Sequence, residues 1–114
     1  MTAPKRFPDR SEAASVRAEA ELLDPDTEAA DERRLAGRVL ARRDLGKLTF
    51  LDLVDRSGRI QLLCSADRMG EVDVHLGDIV GAVGHPARSR RGEPSLAVIS
   101  LEVDPELPLA DPLL

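Results

Sequence analysis

The sequence predicts an all-β fold, a five-stranded barrel with one N-terminal α-helix outside it. Two observations carry this. Between Arg34 and Val103 short apolar runs alternate with polar residues, and Gly, Pro or Asp bound each run. Only one stretch, near the N-terminus, has the Ala and Glu content of a helix. At 114 residues there is room for one domain with a modest core. With two Phe and no Trp or Tyr, that core must be Leu, Val, Ile and Ala.

Residues 1–10 hold Pro4 and Pro8 and read as an extended lead. Ser11 is a candidate N-cap for a helix over EAASVRAEAELL, whose stripe of Ala14, Val16, Ala18 and Leu22 is weak. Asp24, Pro25 and Asp26 end it, and an acidic connection, Thr27 to Glu32, follows. The first strand, about Arg34 to Arg42, alternates Leu35, Gly37, Val39 and Ala41 against Ala36, Arg38, Leu40 and Arg42. Gly37 marks a kink or bulge of the kind that curls a sheet.

RRDLGK bends into a second strand, and the loop DRSG, Asp55 to Gly58, joins it to a third. Pairing Val54 with Arg59 puts Leu51, Leu53, Ile60 and Leu62 on one face and Phe50, Asp52, Arg59 and Gln61 on the other. An aromatic among Arg, Lys and an amide suits stacking on an unpaired base. Alternation alone leaves Phe50 open between this surface and the core, because a slip of one residue turns it inward. SADRMGEVDVHLGD has space for a helix of a turn or two. Asp78 to Gly84 is a fourth strand that Pro86 ends, ARSRRGEP a basic loop, and Ser95 to Val103 a fifth strand.

The net charge of −5 excludes a generally basic coat, but positive charge is gathered. Residues 37–63 carry six Lys or Arg against three Asp. The single cysteine, Cys64, excludes an intrachain disulfide, and with two His there is no structural zinc set. Cys64 falls on the core face and reads as an inert buried thiol. No signal-like apolar run opens the chain and no stretch approaches a membrane span, so the cytoplasm is the simplest address.

Five strands, a short connector after the third and a helix outside describe the oligonucleotide-binding, or OB, architecture. GRVLARRDLGKLTFLDLVDRSGRIQLL, then HLGDIVGAVG, then RRGEPSL resembles the N-terminal anticodon-binding domain of bacterial class II lysyl-tRNA synthetases, with the aspartyl and asparaginyl enzymes as siblings. The resemblance covers about residues 34–103. It implies a partner, the anticodon loop of tRNA, with the lysine tRNA expected. It implies that an anticodon base stacks on Phe50, that Gln61 hydrogen-bonds a neighbouring uracil edge, that Arg42 and Arg43 meet anticodon phosphates and bases, and that Glu93 faces the anticodon. Lys47 is expected to add positive charge.

The resemblance divides the chain into an extension with one helix (1–33), the OB domain (34–103) and a Pro-rich tail (104–114), where a catalytic domain follows in the family. The connector SADRMGEVDV is abbreviated relative to the family. None of the three class II signature motifs stands in these 114 residues, so they are not expected to aminoacylate. No cofactor is expected here; ATP and magnesium belong to the family's catalytic domain. Two further readings stay open, a truncated or split part of an active lysine–tRNA ligase and a protein-binding OB domain. Oligomeric state is left unassigned.

Overall fold

The computed structural model of the chain describes residues 10–103. The elements are α1 (Ala13–Ala20), β1 (Thr27–Glu28), β2 (Arg33–Leu45), β3 (Leu48–Asp55), β4 (Gly58–Ser65), α2 (Ala66–Met69), β5 (Ile79–Arg88) and β6 (Pro94–Val103). Hydrogen-bonded order is β1-β5-β2-β3-β4-β6, and β6 pairs back onto β5. Strands β2 to β6 therefore close a five-stranded barrel, with β1 attached to the outside of β5. All pairings are antiparallel except β4 with β6.

The β3–β4 register is the expected one, Val54 opposite Arg59 and Phe50 opposite Leu63. Leu51, Leu53, Ile60, Leu62 and Cys64 accordingly point inward and are fully buried, with Leu35, Val39, Val80, Leu96 and Val98 from the other strands. The barrel ends are closed differently. At the β3–β4 turn, α1 inserts Ala13 and Val16 into the core; at the opposite end Val72 and Val74, following α2, do the same.

Several expectations need correction. Ser11 does not cap α1, which begins after Glu12 without a cap from its own side chain. The helix start is held from the hairpin turn instead: Ala13 N donates to Asp55 Oδ2 at 2.8 Å and Ala14 N to Ser57 Oγ at 3.0 Å. The buried stripe is Ala13, Val16 and Ala20, and Leu22 is 87% exposed. Part of the acidic connection forms β1, pairing Thr27 with Arg88 and Glu28 with Ala87.

Pro86 does not end its strand but lies inside β5, opposite Leu96. Its carbonyl accepts from Ala29 N at 2.8 Å. A strand residue's N–H and C=O share one edge, so the missing N–H faces the outer edge and leaves the β5–β6 ladder whole.

The first strand runs three residues past Arg42, and its irregularity is at Leu40 rather than Gly37. Val39 pairs with Leu53 and Ala41 with Asp52, leaving Leu40 as the extra, half-exposed residue of a bulge. Gly37 serves close packing, since a Cβ there would meet Val54 O at 2.5 Å. The expected short connector is α2. The Pro-rich tail and residues 1–9 lie outside the described residues.

Candidate nucleic-acid interface

The outward face of the β2–β3–β4 ribbon can be read off the pairing as rows. Arg43, Phe50 and Leu63 form one; Ala41, Asp52, Gln61 and, on β6, Ser95 form the next; Arg38, Val54 and Arg59 form the third. Along β3 and β4 each row lies two residues from the next, so Phe50 and Gln61 are diagonal neighbours on one surface; in β2 the step from Ala41 to Arg38 is three, because the bulge residue Leu40 intervenes. Phe50 is outside the core cluster and only partly covered. Its cover is cationic: the Arg43 guanidinium carbon sits 4.6 Å from the ring centroid.

Gln61 is held by a short chain of hydrogen bonds. Its Nε2 donates to Ser95 Oγ at 3.0 Å, and Ser95 Oγ donates to the Glu93 carbonyl at 2.9 Å. Asp52, opposite Gln61, is engaged by Arg59 Nη1 at 3.0 Å. Glu93 lies in the β5–β6 loop, its amide bonded to Ser89 Oγ and its carboxylate 3.6 Å from Arg17 Nη1 of α1. Arg17 also reaches Arg59 O at 3.3 Å. Arg90 and Arg91 project from the same loop and are exposed.

Five of the six residues expected at the site thus stand at or beside this surface: Phe50, Gln61 and Arg43 on the ribbon, Glu93 in the adjoining loop and Lys47 in the β2–β3 turn. Lys47 is highly exposed, and its ammonium pairs with Asp67 at 3.4 Å. Arg42 is not brought to this face. The bulge at Leu40 reverses the phase of β2, so Arg42 pairs with core-facing Leu51 and Arg43 with Phe50. The Arg42 guanidinium donates to Val72 O and Val74 O, both at 2.8 Å, and to the Asp44 carboxylate, from Nη2 to Oδ1 and from Nε to Oδ2, each at 3.1 Å. Arg42 ties the segment that plugs the barrel to the wall.

The hydrogen bonds from Arg42 and Thr49 hold the Asp44 carboxyl below its usual range, while the bond to Asp44 raises Arg42 above its own. Burial pushes the Cys64 thiol up to about 12, against the opposing effect of the Arg42 charge. Arg17, Ser95, Asp52 and Arg59 entered the site without being anticipated as site residues. Alternation places Asp52 and Arg59 on the right face, but Arg17 and Ser95 come from remote segments whose packing no local pattern reports. Among the described residues no cluster of three or more His, Cys, Asp or Glu could hold a metal ion. No helix among them is long and apolar enough to cross a membrane.

Comparison with known proteins gives one matching family model, that of the tRNA anti-codon OB-fold nucleic acid binding domain, over residues 34–104. A lysine–tRNA ligase of Dehalococcoides mccartyi is 44% identical over 86 residues, covering 68% of this chain and 17% of that protein. A second from another strain of that species is 34% identical over 107 residues, covering 88% of this chain and 22% of the other. The chloroplastic/mitochondrial lysine–tRNA ligase of Arabidopsis thaliana is 43% identical over 86 residues, covering 68% of this chain and 14% of that protein. The chain spans less than a quarter of the length of these relatives.

Proposed function

The chain belongs to the tRNA anti-codon family of OB-fold nucleic acid binding domains, and from that premise we propose that its Phe50 face holds the anticodon loop of a lysine tRNA. The observation that carries the proposal is the position of Phe50, outside the aliphatic core on the polar face of the barrel, under Arg43 and diagonal to Gln61. One anticodon base stacks on the ring, taking the place of the Arg43 guanidinium. Arg43 then turns to the phosphate that arrives with the base. Gln61 reads the edge of a neighbouring uracil, for which an amide has both a donor and an acceptor. Lys47, Arg90 and Arg91 add positive charge around the loop, giving position and salt dependence rather than sequence. Arg42 supports the site from behind by holding the Val72–Val74 segment.

The relatives are named lysine–tRNA ligases, and we extend from them the reading that this domain serves a lysine–tRNA ligase reaction whose chemistry belongs to residues beyond an anticodon module. ATP and magnesium belong with that chemistry, and we assign no cofactor to the Phe50 face.

The test is anisotropy of a labelled stem-loop with a UUU anticodon, against one in which the triplet is replaced. Weak binding that prefers UUU and loosens as salt rises is expected, because the contacts are few and partly ionic and the avidity of a second tRNA contact is absent from a stem-loop. Binding that ignores both the triplet and ionic strength would refute the proposal.

A further inference from the structure

Gln61 is the only Gln in the chain, and there is no Asn. Ser95, the residue it touches, is a fully buried hydroxyl followed along β6 by the buried Leu96, Ala97 and Val98. The two oxygens and one amide nitrogen between Glu93 and Gln61 form a chain whose polarity is determined by its far end. The Glu93 carbonyl can only accept. A Ser95 proton directed there, at 2.9 Å, leaves Ser95 Oγ as an acceptor toward Gln61, and the atom facing it at 3.0 Å must then be the Nε2 donor. Turning the amide over would put Oε1 against Ser95, and the hydroxyl would have to abandon Glu93 to satisfy it. That arrangement makes one hydrogen bond where the observed one makes two.

We propose that Ser95 is a positioning residue that sets base specificity by fixing the orientation of the Gln61 amide, so that Oε1 is presented to the ligand as an acceptor. The inference rests on the anticodon-loop reading above. A carbonyl oxygen held in this way selects a base whose ring nitrogen carries a proton. Uracil has N3–H; cytosine offers a bare N3 that would face the oxygen lone pairs. Ser95 thus separates two pyrimidines of nearly the same shape without touching either. Without the hydroxyl, the amide rotates and accepts either base.

Two measurements test this. The first is the ratio of affinities for a stem-loop with uracil and for one with cytosine at the Gln61 position. Ser95→Ala is expected to lower that ratio about fivefold, the worth of one such hydrogen bond, chiefly by tightening the cytosine complex. Phe50→Ala is expected to weaken both complexes together and leave the ratio in place. The second uses the free protein. With a single side-chain carboxamide present, one NH2 pair stands apart in the 15N spectrum. One of its two protons should be displaced from the free-carboxamide position by the Ser95 bond in the native chain, and should return to that position in Ser95→Ala.

An unchanged uracil-to-cytosine ratio in a folded Ser95→Ala chain that still binds through Phe50 overturns the positioning role alone. Loss of selective binding from the native chain, or binding indifferent to Phe50→Ala, overturns the anticodon reading instead. If Ser95→Ala fails to fold, the native NH2 pair decides: two protons at the shifts of a free, solvated Gln carboxamide overturn the proposal.

Discussion

Replacing Phe50 by alanine separates a ring that binds from a ring that packs, because the two roles differ in which quantity is lost. Phe50 lies outside the buried cluster, partly exposed, and its clearest contact is the guanidinium of exposed Arg43 at 4.6 Å. A surface cation–π contact is worth about 0.5–1 kcal/mol, and the partly covered ring adds a similar amount of burial. The expected loss of stability is therefore about 1–2 kcal/mol, against about 3–5 kcal/mol for a core Phe→Ala change. For a domain of this size each kcal/mol lowers Tm by roughly 4–8 °C.

Binding should suffer more. Base stacking contributes about 1–3 kcal/mol by alanine substitution, which weakens the anticodon stem-loop complex by about 5- to 150-fold. Thermal denaturation followed by circular dichroism gives the first quantity, and anisotropy at fixed low salt gives the second. Combining Phe50→Ala with Arg43→Ala completes a cycle in free and bound protein. If Arg43 leaves the ring on binding, the coupling between the two side chains should vanish in the complex. The reasoning is refuted if Tm falls by more than twice the expected amount while the affinity of the folded protein is unchanged.

Arg42→Met keeps the aliphatic stem but removes the bonds to Val72 O and Val74 O. It should cost about 2 kcal/mol, since bonds to charged donors are at the strong end of the range, and amides at 72–78 should exchange faster while the salt dependence of RNA binding stays as it was. Arg17→Ala should change stability by less than about 1 kcal/mol, because its pair with Glu93 is long, at 3.6 Å, and partly exposed to solvent. It should nevertheless weaken RNA binding at low salt by leaving the Glu93 carboxylate uncompensated; Glu93→Gln in that background should restore binding, and the gap should close at high salt. Cys64 should resist thiol reagents at pH 8 in native protein and react on unfolding. Its thiol is favoured by the folded state, so the associated stability is complete below the unfolded value near 9.0 and is lost as pH rises toward about 12. Cys64→Ala should flatten alkaline denaturation over that window, measured by urea midpoints.

What the sequence could disclose about the site followed from periodicity, and what it concealed followed from a break in periodicity. In β3 and β4 alternation is unbroken, so once Val54 is set opposite Arg59 the inward leucines and the outward Phe50, Asp52, Arg59 and Gln61 follow by counting; alternation alone leaves open the pairing itself, and with it the side Phe50 takes. In β2 the same count places Arg42 outside and Arg43 inside, the reverse of the structure. The single unpaired residue Leu40 inverts every assignment after it. No residue type marks that position, because a half-exposed Leu satisfies either phase. The missed β1 and the continuing β5 share another cause. Pro86 reads locally as a terminator, and only the route of Ala29 past its carbonyl shows which edge lacks a donor. The cap on α1 was equally nonlocal: Asp55 and Ser57 stand 42 and 43 residues away from the amides they receive.

The bulge also decides which of two adjacent arginines holds the barrel closed and which lies on the Phe50 face. Neighbours in an unbroken strand always point to opposite faces, so one arginine of any such pair must turn inward. At the end of β2 the inward one finds two carbonyls and Asp44 rather than an apolar wall, which makes that placement favourable. The outward one is then free to cover Phe50. Because Leu51, Leu53, Ile60 and Leu62 are fully buried beneath the Phe50 face, on the proposed reading the backbone that carries Phe50 and Gln61 is fixed before RNA arrives. Most of the ordering cost of recognition therefore falls on the exposed side chains, Arg43 above all, at about 0.5–1.5 kcal/mol for each long chain immobilised. Shortening Arg43 to Lys keeps the charge but not the plane that lies on the ring, so it separates the two uses of the residue. The salt dependence of binding should persist while the protection of Phe50 in the free protein is lost.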